Sequence, residues 1–152
     1  MLYTKVGIMK FLLFLSSFLL SLTVFAHCPM EFKEVDLCAN LKWIDGPHLD
    51  QKSHFQLTFW EKGDLTHTPV SPELEIDIYS WMTMHNGNSH GGPKMNFQEI
   101  STGVFEVKDA RFFMHGMHGY WEIKADLFEG DSVVSSSASR IDFNNNGGGH
   151  HH

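Results

Sequence analysis

Cysteine is scarce in this 152-residue chain, which has only Cys28 and Cys38. Two cysteines exclude a disulfide-dense scaffold, and their separation of ten positions is not the close interval of a zinc knuckle. Basic residues are also few, with 11 Lys and Arg against 18 Asp and Glu. That balance argues against nucleic acid and anionic membranes as partners, since both select a cationic footprint. Helical periodicity is missing from the mature part of the chain, so bundles and α/β architectures are not expected. No Gly-x-Ser-x-Gly elbow occurs, and no His and Asp set is tied to one of the many Ser and Thr residues, which leaves nucleophilic catalysis without support. Paired acids such as Glu73 and Glu75, or Asp126 and Glu129, alternate with apolar residues as a solvated face does.

Long apolar runs are limited to one, Phe11 to Phe25, which follows Lys5 and Lys10 and ends in Val24-Phe25-Ala26. These are the three regions of a secretory signal peptide over residues 1–26. The run is shorter than the roughly 20 apolar residues that cross a bilayer. Cleavage, with no membrane insertion afterwards, is therefore the expectation, and the destination is periplasmic or secreted. His27 then becomes the first mature residue, and nine Lys and Arg remain against 18 acids. In an oxidising compartment Cys28 and Cys38 read first as a disulfide that staples the N-terminal segment. A pair of thiolate ligands for a soft metal, helped by Met30, is the competing reading. Phe25-Ala26-His27 is a poor lipobox ahead of Cys28.

From Leu37 onward, short runs rich in β-branched and aromatic residues are separated by Gly, Pro, Asn and Asp. The expected strands are Ala39 to Ile44, Ser53 to Glu61, Leu74 to Met82, Val104 to Ala110, Gly119 to Glu129 and Ser132 to Phe143. Alternation is clearest in Leu74 to Tyr79 and in Trp121 to Leu127, each with one apolar and one wet face. One buried face per sheet predicts an all-β domain over residues 27–143, an immunoglobulin-like sandwich of two antiparallel sheets. Gly91-Gly92-Pro93 and Glu129-Gly130-Asp131 read as turns. The segment from His85 to Gln98 reads as one long connection, and residues 144–152 as a disordered Asn, Gly and His tail.

Two segments stand apart: Met82-Thr83-Met84-His85, followed by His90 and Met95, and Met114-His115-Gly116-Met117-His118. Thioethers favour Cu(I) and imidazoles serve either oxidation state, so a mixed set points to copper before zinc, iron or magnesium. Met82 and Met84 share a strand face with His85 at the strand's end, while Met114, His115, Met117 and His118 precede the strand that starts at Gly119. If the two flanking strands pair, both clusters meet at one rim. Methionines beside strands are more often core filler, but polar histidines and Gly116 crowd these together in a turn. A mature N-terminal His27 offers its α-amine and ring Nδ1 as a chelate. With His48, His54 or a loop histidine it would form a histidine brace for Cu(II).

The stretch from Leu74 to Leu127 resembles the YtkA-like or FixH-like family of extracytoplasmic domains. The matching residues are Met82-Thr83-Met84-His85, His90-Gly91-Gly92-Pro93, Thr102 to Val107, Phe113-Met114 and Gly119-Tyr120-Trp121-Glu122-Ile123. The resemblance implies an immunoglobulin-like sandwich in a copper-related setting, with Met84 and His85 on one loop and Met114 on the other as candidate ligands. His115-x-Met117 is similar to the His-x-Met element of PCuAC-type periplasmic copper chaperones, whose remaining spacing is not reproduced. His115 and His118 depart from the usual YtkA-like segment. The expectation is a non-enzymatic copper-binding protein, a chaperone, buffer or resistance factor. Cu(I) is favoured over Cu(II), and a copper-accepting or copper-exporting protein is the expected partner. A brace enzyme using His27 and a metal-independent interaction module are the alternatives.

Overall fold

The computed structural model describes residues 27–114, 116 and 118–145. Residues 1–26, expected to be a signal peptide, His115, Met117 and residues 146–152 lie outside the described residues. In chain order the strands are β1 (Met30–Phe32), β2 (Leu37–Asp45), β3 (Lys52–Glu61), β4 (Glu75–Met84), β5 (Ser89–Gly91), β6 (Asn96–Ser101), β7 (Val104–Arg111), β8 (Gly119–Glu129) and β9 (Ser132–Arg140). They form two antiparallel sheets, ordered β1-β2-β3-β7-β6 and β5-β4-β8-β9. This is the expected two-sheet, immunoglobulin-like sandwich.

Period-two alternation decides what lies between the sheets. On β3, Phe55, Leu57 and Phe59 face inward; on β8, Trp121, Ile123, Ala125 and Leu127 do so, and all are buried. Each large apolar side chain removed from water contributes about 1.5–3 kcal/mol. Aromatic contacts lock one end of the sandwich: Phe112 lies with its ring centroid 5.7 Å from Trp121, 5.7 Å from Phe143 and 6.0 Å from Trp43. Trp121 Nε1 also donates to the Phe113 carbonyl at 3.3 Å. The chain after β7 is therefore fastened to β8 across the gap between the sheets.

One expectation is corrected. The span from His85 to Gln98 is not one loop, because Ser89–Gly91 folds back on β4 and Asn96–Ser101 joins the other sheet. Met95, on the link between them, is buried. Gly91-Gly92-Pro93 is a packing point as well as a turn: a Cβ on Gly92 would lie 2.0 Å from Ser80 Oγ and 2.9 Å from Trp121 Cζ3. Phe143, the last residue of the expected domain, opens a 3-10 turn over Phe143–Asn145 and packs on the core, while residues 146–152 of the expected tail lie outside the described residues.

Cys28 and Cys38 are bonded, which settles the open choice in favour of the disulfide. The bond ties the segment before β1 to β2 across a sequence separation of 10. Closing so short a loop stabilises by about 2–3 kcal/mol through the unfolded state. Replacing both cysteines with serine is expected to lower the unfolding free energy by that amount, read from urea denaturation with the m-value unchanged.

Trp60 is buried on the outer side of its sheet, and the following loop covers it, with the His67 ring stacked on the indole at 4.3 Å. Asp64 organises that loop, accepting the Thr66 and Thr68 amides at 2.9 and 2.8 Å and the Thr66 hydroxyl at 2.6 Å. These donors, led by the Thr66 hydroxyl, hold the Asp64 carboxyl down at about 2. A depressed carboxyl stabilises the fold fully above its unfolded value and loses that contribution as pH falls through the folded one. The Thr66 and Thr68 amide resonances should accordingly titrate with a midpoint near pH 2, and the pH-dependent loss between about pH 4 and pH 2 should diminish in Asp64→Asn. A midpoint near 4 would show that the carboxylate does not hold the loop.

Candidate metal site at the Met and His rim

The β4–β8 ladder brings the two sequence clusters together. Its register runs from Glu75 opposite Phe128 to Met84 opposite Gly119, and His85 N donates to His118 O at 2.9 Å just beyond the last pair. The two imidazoles lie near-parallel, with centroids 6.2 Å apart and 15° between planes. Both histidines are exposed.

Alternation divides the donors into two sets. Met84 turns toward the core and is half-buried there, as is Met114, whereas His85 and His118 face solvent. Gly119 is the neighbour of Met82 and Met84. A Cβ at this position would meet Thr83 O at 2.2 Å and both Met82 Cε and Met84 Cα at 2.9 Å. Gly119 also lines, with Met114, Tyr120, Arg140 and Phe143, a cleft of about 550 Å³. Only a residue without a side chain lets β8 enter between these groups.

His90 sits on β5 opposite Met82, which makes it a diagonal neighbour of Met84, about 7–8 Å away between backbones. Its Nδ1 lies 3.0 Å from the Gly91 carbonyl. A carbonyl only accepts, so Nδ1 carries the proton and Nε2 keeps its lone pair for a metal. The ring stands edge-on to Trp121 at 6.0 Å.

Other candidates fall elsewhere. Met82 is fully buried in the core, because inward alternation places it one step below the strand's end, against Gly119. It supports the rim from beneath and presents no donor at the surface. His115 and Met117 lie outside the described residues. His27 is remote from the rim: the Cys28 and Cys38 Cα atoms are 5.3 Å apart, and Cys38 pairs with Trp60 at the opposite end of β3 from the rim. The seven residue steps from Cys38 to Asp45 cover roughly 23 Å of strand. The third ligands considered for a brace are engaged near the rim end, His48 with Asp45 at 2.9 Å and His54 with Glu106 at 3.0 Å. The hydrogen bond from Lys108, followed by that from His54, holds the Glu106 carboxyl below its ordinary value.

Among the described residues no three His, Cys, Asp or Glu side chains converge on one point. Tyr120 and Arg140 were not singled out from the sequence. Arg140 lies 4.1 Å over the Tyr120 ring at the edge of the cleft. Nothing local in the sequence marks that pairing, since it depends on how β9 registers with β8.

Gly119→Ala should cost about 1–3 kcal/mol in thermal unfolding, because the new methyl meets backbone. Gly91→Ala, whose Cβ would make only ordinary contacts at 3.7 and 3.8 Å with Trp81, should stay within about 0.5 kcal/mol. Equal effects would remove the special role given to Gly119.

No family model matches the chain, and no curated protein sequence does. Among solved structures, the chain is similar to a DUF4785 family protein from Legionella pneumophila, with 11% identity and a TM-score of 0.42. The alignment covers 70% of this chain and 28% of that one, so the chain spans under a third of that protein's length.

Proposed function

We propose that the protein is an extracytoplasmic copper-binding protein, a chaperone, buffer or resistance factor of the periplasm, rather than an enzyme. The observation that carries this reading is the end of the β4–β8 register, where Met84 meets Gly119 and His85 meets His118. Donors more than 30 positions apart in sequence thereby share one rim. Met84 and Met114, with His90 beside Met84, form the soft set suited to Cu(I). His85 and His118 form an exposed imidazole pair that either oxidation state accepts. Met117 and His115 belong to the same sequence cluster and are candidates with them.

Half-buried thioethers on a flexible stem exchange ligands readily, which suits a protein that holds copper and passes it to an accepting or exporting partner. The Cys28–Cys38 disulfide fits an oxidising compartment, as does the signal peptide read from residues 1–26. The resemblance to YtkA-like domains supports the same assignment through Met84, His85 and Met114. The protein itself would supply coordination and partial shielding from water.

The test is a titration of the protein from His27 onward, lacking the three terminal histidines, with Cu(I) against a competing chelator and with Cu(II) in parallel. Met84→Ala and Met114→Ala are expected to weaken Cu(I) binding by about tenfold or more each, equivalent to ~1.4 kcal/mol. The double variant His85→Ala/His118→Ala should weaken Cu(II) more than Cu(I). Failure of the wild-type protein to bind either ion would overturn the proposal.

A further inference from the structure

The end of the sandwich remote from Met84 and Gly119 has a different chemistry. Between the sheets, where β2 begins and β3 and β8 end, an open cleft of about 630 Å³ is ringed by Asp36, Glu61, Glu73 and Glu129. Its volume lies within the range of roughly 300–1,000 Å³ typical of ligand sites. The inner wall is apolar, made of half-buried Leu37, Val70, Leu74 and Val134. Lys62 also lines the cleft, but its ammonium is held by Glu31, which lies outside it.

The four carboxylates are exposed, and among the described residues none of their side chains takes part in a hydrogen bond or ion pair. Several acids elsewhere are engaged, Glu34 by Ser135, Glu99 by Ser71, Asp64 by its own loop and Asp126 by Tyr79, while others such as Glu75 and Glu122 stand on the outer sheet face. The cleft thus combines an apolar wall with four carboxylates at its lip, Asp36 among them within the electrostatic reach of Lys62.

We propose that this cleft is a docking site for a basic, amphipathic peptide segment of a partner protein, with apolar side chains against Leu37, Val70, Leu74 and Val134 and Lys or Arg side chains toward the four carboxylates. Charge complementarity selects this occupant. An anionic lipid surface would be repelled, and an acidic or neutral segment would leave the carboxylates facing apolar groups. A wholly polar cation would leave the apolar wall in water. The proposal is independent of the copper reading, because it uses no residue of the rim.

The probe is a fluorescein-labelled pentapeptide of alternating lysine and leucine, compared with its glutamate and leucine counterpart, read by anisotropy and by amide shifts in 15N-labelled protein. The basic peptide should bind, shift the Val70, Ser71, Leu74 and Val134 amides, and weaken with added salt; the acidic one should not bind. Glu73→Lys/Glu129→Lys should weaken binding by about tenfold or more. Asp77→Lys/Glu122→Lys makes the same charge change on the outer sheet face and should change binding much less. Equal loss in both double variants would reduce the effect to net charge and overturn the proposal. So would shifts confined to other surfaces, an absence of binding at millimolar peptide, or complete displacement by equimolar spermidine, which would assign the cleft to small polycations.

Discussion

The ten-pair register between β4 and β8 is the constraint on which the rest of the molecule depends. It places Ile76, Ile78, Ser80, Met82 and Met84 on the same inner face as Leu127, Ala125, Ile123, Trp121 and Gly119. Small groups face large ones at three of the five pairs, Ile78 with Ala125, Ser80 with Ile123 and Met84 with Gly119, while Trp121 lies opposite Met82. A slip of one residue would turn every apolar side chain of one strand to solvent, so the register is strongly specified. The same slip would separate His85 from His118. The chemistry of the rim is thus fixed by the packing of the core below it, and its position is as well defined as that of Trp121.

Trp121 links this sheet to the other one. Its indole N–H is satisfied by Phe113, its ring contacts Phe112, and Gly92 comes close enough that a methyl group would collide with it. Those contacts hold the chain on both sides of the rim: the segment that carries Met114 and the strand that carries His90. A buried aromatic with a satisfied polar edge is well suited to such a joint, because it combines a large apolar area with one directional bond.

The two ends of the sandwich are chemically unlike. One gathers thioethers and imidazoles beside a cleft lined by Arg140 and Asp142; the other has an apolar cleft among carboxylates. Strands pass between the ends with their charged residues on the outer faces, so neither end's chemistry requires burying charge within the core. An elongated sandwich can in this way present separate surfaces at its two ends.

Sequence alone determined the secondary-structure class, the longer strands and the candidate donors. Alternation in β3, β4 and β8 is a local property, and Gly119 to Glu129 was placed with the bounds that the structure gives. The short strands β1, β5 and β6 were not legible, because three to six residues carry too little periodicity and their pairing is set by neighbours remote in the chain. The same reason explains the donors. Met82 and Met84 look alike in sequence, and only the level at which the ladder ends makes one core and the other rim. Cys28 and Cys38 admitted two readings until their backbones were seen to lie within bonding reach, and that bond in turn carried His27 away from the histidines of the rim. Residue type is written locally and fixes which chemistry is available. Which residues share that chemistry depends on strand register and sheet packing, and those are decided by long-range burial.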